Sequence, residues 1–147
     1  MEFLLEIFDN IILWTAVISW AIAQIIKILI ELAKFKKFRP SLIVSSGGMP
    51  SSHTSFVTAM SMAVGMIEGF DSTFFAMCVI TSLVVMYDAA GVRRAAGQQA
   101  WVINQLVENI ESAGIVLDKK LKELLGHSPI EVACGAILGI IVAAIII

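Results

Sequence analysis

Residues 11–32 read IILWTAVISWAIAQIIKILIEL, an almost unbroken apolar run in which Lys27 is the only cation. As a helix this run would rise about 33 Å, enough to cross a hydrocarbon core of about 30 Å. Further apolar runs cover residues 54–69, 73–90 and 130–147. The run at 54–69 is short and rich in Gly, Ser and Met, so it is either a span or a helix buried inside the bundle. Because a bilayer offers backbone groups no water, we expect helices, and the sequence predicts an all-α, polytopic membrane helix bundle of about four spans.

The composition excludes several classes of protein. The 147 residues are 59% hydrophobic and 15% charged, whereas an average soluble domain is roughly 45–50% apolar and about 25% charged. This composition argues against a water-soluble monomer. It also argues against a disordered chain, which has low hydrophobicity and high charge. A net charge of −2 without a long basic run excludes a nucleic-acid partner. The length predicts a single domain over residues 1–147.

The basic residues indicate the orientation in the membrane. Nine of the ten Lys and Arg residues fall in residues 34–39 or 93–122, and the N-terminal tail, the turn at 68–71 and the C-terminus carry none. By the positive-inside bias, both basic segments face the cytoplasm and both termini lie outside. Apolar residues at helical spacing within residues 98–125 predict one or two cytoplasmic amphipathic helices, which either cover a site or serve only as a connector.

A first polar cluster, SSGGMPSSH at residues 45–53, precedes the second apolar run. Pro50 fits a helix start, and Ser51 or Ser52 fits its N-cap. Gly48 allows the backbone to approach a ligand closely. Free N–H groups, hydroxyls and a positive helix end together make an anion site. The alternative is a capped loop in which His53 only caps or packs.

Two more polar clusters follow, YDAAGVRR at residues 87–94 and GHSPIE at residues 126–131. We expect Asp88 to pair with Arg93 or Arg94, although arginines at a membrane edge also serve as headgroup anchors. His127 and Glu131 are four residues apart and share a face if the helix has begun by then. A carboxylate that accepts from one ring nitrogen fixes the tautomer and leaves the other nitrogen free. The alternative is a surface histidine beside a Glu that favours the helix dipole.

The predicted topology places all three clusters at one membrane face. His53 and His127, the only histidines of the chain, then begin two helices that enter from that face. Arginines, serines and glycine N–H groups accompany them in the sequence. Such a set is suited to holding a phosphate and passing it to an imidazole.

At these residues the chain resembles the type 2 phosphatidic acid phosphatase superfamily. More closely, it resembles the small divergent bacterial branch described as acid phosphatase/vanadium-dependent haloperoxidase-related proteins. Arg39-Pro40 is similar to the end of the first superfamily motif, and residues 50–53 to the second, with Ser in place of Gly. Arg93 or Arg94 is similar to the Arg of the third motif, and residues 127–131 to its end, with Glu in place of Asp.

The resemblance implies a membrane phosphohydrolase that removes phosphate from a lipid-linked or isoprenoid phosphate through a phosphohistidine. His127 would be the nucleophile, Glu131 would orient its ring, and His53 would be the general acid. Leu32 stands where the first motif has its lysine, so Lys34 or Lys27 would take that role. The phosphate-binding residues implied are Arg39, Gly48, Ser51, Ser52, Arg93, Arg94, Lys34 and Lys27, with Asp88 in support.

The resemblance implies neither a metal nor another cofactor. About four spans, where related membrane phosphatases usually have six, are consistent with a homo-oligomer in which a second copy completes the bundle. Membrane lipids and a lipid-linked phosphate are the expected partners, in the bacterial cell membrane. Two other functions remain open: a non-catalytic phosphate-lipid binder, and a small oligomeric transporter in which Lys27 lines a path.

Overall fold

The computed structural model describes residues 2–35, 48–112 and 126–147, with side chains described for residues 5–33, 48–92, 95–107 and 126–147. Within these ranges the chain forms helices and no strand, which confirms the predicted all-α bundle. The elements are α1 (Glu2–Phe8), α2 (Ile11–Phe35), α3 (Ser52–Glu68), α4 (Thr73–Tyr87), a π-helical segment (Asp88–Val92), α5 (Arg93–Ser112) and α6 (Pro129–Ile146).

Helix α3 is the central helix of the bundle and packs against α2, α4 and α6. Ser19 of α2 meets Ser55 of α3 with 2.6 Å between their hydroxyl oxygens, whereas Lys27 lies against Gly48, just before α3 begins. Helices α2 and α3 are therefore antiparallel. Hydroxyl pairs of this kind join helices where lipid offers no hydrogen-bond partner.

Helices α3 and α4 are also antiparallel. The hydroxyl oxygens of Ser61 and Ser82 lie 2.7 Å apart. Gly65, one turn further along α3, lies against Phe70 in the connecting turn and Phe75 in the first turn of α4. The C-terminal end of α4 therefore lies at the same end of the bundle as the start of α3.

Helices α3 and α6 run parallel and approach closely at two glycines. A Cβ atom on Gly135 would overlap the carbonyl oxygen of Ser51, and one on Gly139 would overlap the Thr58 hydroxyl. The Thr58 hydroxyl also donates to the carbonyl oxygen of Ala136 at 3.3 Å. Small residues four apart allow such backbone approach in membrane helices.

Three helical stretches are long and apolar enough to cross a membrane: Ile11–Ala33, Thr73–Val107 and Pro129–Ile146. Helix α3 has only 17 residues, and ten of them are buried. It nevertheless runs between the same two ends of the bundle as its neighbours, and it rises about 26 Å. Because three helices surround it, α3 can carry buried serines and threonines inside the bundle.

The amphipathic segment differs from its prediction. Its helix α5 begins at Arg93 rather than at residue 98, because α4 continues into it through the π-helical segment. Trp101 and Leu106 of α5 are exposed, while Ala100 and Asn104 are buried. The last part of the predicted segment, residues 113–125, lies outside the described residues.

Candidate functional site

The first turn of α6 is built around Glu131. Ser128 is the N-cap and accepts from the backbone N–H of Glu131 at 3.3 Å. In return, Glu131 Oε2 accepts from the backbone N–H of Ser128 at 3.3 Å, which completes a capping box. The same oxygen lies 2.8 Å from Nδ1 of His127. The helix begins only after His127, and Glu131 reaches the ring because its side chain points back toward the helix N-terminus.

His127 is buried, with 2% of its surface exposed. A carboxylate can only accept a hydrogen bond, so Nδ1 must donate, and the neutral ring then keeps its lone pair on Nε2. Within the described residues, Nε2 is buried and has no hydrogen-bond partner. A buried polar atom without a partner costs about 1–3 kcal/mol, and a bound ligand would satisfy it.

Two backbone hydrogen bonds join the three polar clusters. The N–H of His127 donates to the carbonyl oxygen of Ala89 at 3.1 Å, and the N–H of Ser51 donates to the carbonyl oxygen of Glu131 at 3.0 Å. The start of α6 is thus tied to the π-helical segment and to the start of α3. The described parts of the clusters meet at one end of the bundle.

At the start of α3, Ser51 has a structural role as the N-cap. Ser51 is fully buried, and its hydroxyl oxygen accepts from the backbone N–H of Thr54 at 3.5 Å and from the Thr54 hydroxyl at 3.0 Å. The N-cap is therefore Ser51, and Pro50 lies before the cap rather than inside the helix. Ser52 is buried as the first helical residue, and Gly48 has a φ of +94°, a conformation that favours glycine.

Lys27 enters the site from α2. It is 1% exposed, and a Cβ atom on Gly48 would lie 3.3 Å from its Cγ atom. Helix α2, which carries Lys27, packs against α6, which carries Glu131. Lys27, one of the two lysines proposed for the first motif, lies at this cluster. The side chain of the other, Lys34, lies outside the described part of the chain.

For several of the remaining predicted site residues, the structure describes only the backbone or nothing. His53 is exposed in the first turn of α3, and Asp88 ends α4 as its C-cap and is half-buried. Arg39 lies outside the described residues, as do the side chains of Arg93 and Arg94, although their backbone begins α5. The expected pairing of Asp88 with an arginine therefore falls outside what is described.

Sequence reasoning missed four features of the site. The close approach of Gly135 to Ser51 brings the two helix starts together, and the Gly-x-x-x-Gly spacing was its signal. The capping box also had a signal, the Ser128 to Glu131 spacing. Nothing in the sequence indicated the bond from His127 to the Ala89 carbonyl oxygen or the π-helical segment around it. In the described residues no group of three or more His, Cys, Asp or Glu side chains could hold a metal ion.

Residues 8–142 match the family model described as the Divergent PAP2 family. The chain is also 41% identical over 153 residues to the protein called "Uncharacterized membrane protein YuiD" of Bacillus subtilis (strain 168), with 97% of both chains covered. No solved structure matches this chain. The family match confirms the resemblance inferred from the motifs.

Proposed function

The chain belongs to the Divergent PAP2 family, and we propose on that premise that it is a membrane phosphohydrolase acting on a lipid-linked or isoprenoid phosphate. The observation that carries the proposal is the state of His127. Its Nδ1 is held by Glu131 at 2.8 Å, and its buried Nε2 has no partner within the described residues. An imidazole held in this way has its lone pair on the nitrogen that would attack phosphorus.

The proposed reaction has two steps. In the first, Nε2 of His127 attacks phosphorus, the ester P–O bond breaks, and His53 protonates the leaving oxygen. In the second, His53 takes a proton from water, the water oxygen attacks the phosphohistidine, and the P–N bond breaks to release phosphate and restore His127. Glu131 stabilises the imidazolium character of the ring in both steps.

Positive charge for the phosphate oxygens would come from several sources at this end of the bundle. The starts of α3 and α6 both lie there, and helix starts favour anions. Lys27 adds a buried lysine side chain. The arginines implied by the motifs, Arg39 with Arg93 or Arg94, would complete the binding set. Stabilisation of charge on the transferred group carries much of the catalysis of phosphoryl transfer.

The depth of the site supports a lipid substrate. Lys27 lies six residues before the end of the span Ile11–Ala33, which is about 9 Å along the helix. A phosphate bound near it would lie below the lipid boundary. A phosphate attached directly to a lipid chain suits this depth better than a soluble ester does. Because Nε2 is buried, the site must open to admit the phosphate.

A transporter with Lys27 in its path finds less support. Lys27 packs against Gly48, three residues before the N-cap Ser51, so it belongs to the same cluster as His127. A non-catalytic phosphate-lipid binder would use the same cluster. We therefore keep that binder as the outcome to be separated by experiment.

The test is phosphate release by the purified protein in detergent. The substrates are isoprenoid phosphate, phosphatidic acid and phosphatidylglycerol phosphate, and the variants are His127→Ala and, as a control far from the site, Ser72→Ala. We expect release from at least one substrate, its loss in His127→Ala, and its retention in Ser72→Ala. Equal release by His127→Ala would contradict the proposal, and lipid binding without release by the wild type would favour the binder.

A further inference from the structure

His127 lies one residue before the N-cap of α6, so the hydrogen-bond ladder of that helix does not hold its backbone. The contact of Nδ1 with Glu131 orients the ring. Because the Glu131 side chain has several rotatable bonds, this contact alone does not fix the position of the His127 backbone. That backbone is held from another element, since its N–H donates to the carbonyl oxygen of Ala89 at 3.1 Å.

The hydrogen bond between His127 and Ala89 is shielded from solvent at both ends. Ala89 is 3% exposed and His127 is 2% exposed. A hydrogen bond is electrostatically stronger inside a protein than in water, and breaking it would leave a buried N–H without a partner, which is costly. The bond is therefore a fixed joint between the π-helical segment and the chain that enters α6.

The π-helical segment Asp88–Val92 presents this carbonyl oxygen to a partner outside its own helix. In an α-helix, each carbonyl oxygen accepts from the N–H four residues further along. A π turn has a different ladder, from residue i to residue i+5, and single π turns inside α-helices are frequent at functional sites. A carbonyl oxygen also has two lone pairs, so Ala89 can accept from His127 without leaving the helix.

The same segment leads directly into α5, whose first residues are Arg93 and Arg94. The motif resemblance gives one of these arginines a role in binding phosphate. His127 is distant from both in the sequence, but its backbone is bonded to Ala89, four residues before Arg93. One short segment thus holds the His127 backbone and begins the helix that carries the arginines.

We propose that the Ala89 carbonyl oxygen, presented by the π-helical segment, is a positioning group that places His127 for attack on phosphorus. Ala89 acts through the His127 backbone and does not touch the substrate. The consequence for catalysis rests on the proposed function, whereas the hold on the His127 backbone does not. Displacing a reacting group by about 1 Å can cost on the order of 10²-fold in rate, so a joint of this kind matters for turnover.

The test replaces the peptide bond between Ala89 and Ala90 with an ester, through Ala90→lactic acid in cell-free synthesis of the full chain. The ester keeps both side chains, removes one N–H and makes the Ala89 carbonyl oxygen a weaker acceptor. The matched control is Ala76→lactic acid, which makes the same chemical change in α4. Ala76 is exposed, and its N–H donates to the carbonyl oxygen of Ser72 at the other end of the bundle.

The first readout is amide hydrogen exchange in detergent micelles, without phosphate or lipid substrate. The chain has two histidines, so ¹⁵N-histidine labelling gives two backbone amide signals, and His53→Gln identifies the signal of His127. We expect the wild-type His127 amide to be protected although it lies outside α6. Its exchange should be about tenfold faster in Ala90→lactic acid, as for the loss of one hydrogen bond, and unchanged in Ala76→lactic acid.

An exchange rate of an open chain at His127 in the wild type would overturn the proposal, and this arm needs no variant to fold. Unchanged protection of His127 in Ala90→lactic acid would also overturn it.

The second readout is steady-state phosphate release. We expect kcat to fall on the order of 10²-fold in Ala90→lactic acid, with a KM and a melting temperature that match those of Ala76→lactic acid. Equal kcat values in the two variants would overturn the positioning role. If the wild type releases no phosphate from any substrate, the proposed function is contradicted, and the exchange experiment alone decides whether Ala89 holds His127.

Discussion

At the scale of single residues, the site depends on one carboxylate oxygen. Oε2 of Glu131 accepts from both Nδ1 of His127 and the N–H of Ser128, so it orients the ring and caps the helix at once. These two functions can be separated. A glutamine at this helix position also supports a capping box, but it carries no charge to stabilise an imidazolium.

Glu131→Gln should therefore reduce kcat for phosphate release while leaving helix content nearly unchanged. We expect a loss on the order of 10²–10⁴-fold, the range for a positioned group that assists proton handling. Steady-state kinetics in detergent and circular dichroism measure the two effects. Glu68→Gln is the matched control, because Glu68 is exposed at the far end of α3. Full activity in Glu131→Gln would contradict the role given to the carboxylate.

The residues of the site were predictable from the sequence to a limited degree. The spacing of four residues predicted that His127 and Glu131 share a face only if the helix had begun by His127. The helix begins after that residue, and the two side chains meet because both lie in one short segment of chain. The burial of Lys27 against Gly48 depends on contact between separate segments, which spacing along the chain does not reveal. For the same reason the sequence left Lys27 and Lys34 as alternatives.

At the scale of helices, α6 begins where the site requires it because Ser128 caps it and Pro129 occupies its first turn. Ser72 gives α4 the same kind of cap at the other end of the bundle and accepts from the N–H of Phe75 at 3.1 Å. The two caps therefore make a matched pair. One cap lies next to His127, and the other lies far from it.

Ser128→Ala and Ser72→Ala should each destabilise the protein by about 1 kcal/mol, the usual cost of losing an N-cap. Only Ser128→Ala should also lower phosphate release, because the cap fixes the turn that carries Glu131. Thermal unfolding in detergent gives the first quantity and the release assay the second. An equal loss of activity in both variants would mean that activity follows stability alone.

The close contact between α3 and α6 depends on Gly139 as well as on Gly135. Gly139→Ala would place a methyl group against the Thr58 hydroxyl and the Ser55 carbonyl oxygen, and we expect a destabilisation of about 1–3 kcal/mol from overpacking. The control is Ala133→Val, which adds more volume on the same helix at an exposed position. Unfolding in detergent compares them, and equal stability of the two variants would contradict the proposed packing.

Helix positions were more predictable than helix contacts. The runs that became α2, α4 and α6 were evident because length and hydropathy alone decide whether a segment can cross a bilayer. The start of α5 was placed at residue 98 rather than at Arg93, since a π-helical continuation from α4 has no simple sequence signal. The contact of α3 with Gly135 and Gly139 could not be predicted, because it depends on which helix packs against α6.

At the scale of the whole molecule, the orientation in the membrane remains a prediction from the distribution of Lys and Arg. It places the site on the cytoplasmic face and both termini outside. Cys78 and Cys134 are the only cysteines, so replacing both with Ala gives a background for single-cysteine labelling.

In that background, Asp71→Cys should react with an impermeant maleimide in intact cells, because the turn between α3 and α4 is predicted to lie outside. Gln99→Cys, at an exposed position on α5, should react only after the cells are permeabilised. Labelling in the reverse pattern would place the site on the outer face. It would overturn the predicted orientation while leaving the site geometry unaffected.

The central claim is that His127 becomes phosphorylated during turnover. The most direct measurement is rapid acid-free quenching of the purified protein with a ³²P-labelled lipid phosphate, followed by peptide mass spectrometry. The account predicts a base-stable, acid-labile phosphoryl group on the peptide that contains His127, absent from His127→Ala. Phosphate release without any phosphohistidine, or a phosphoryl group on another residue that persists in His127→Ala, would contradict it.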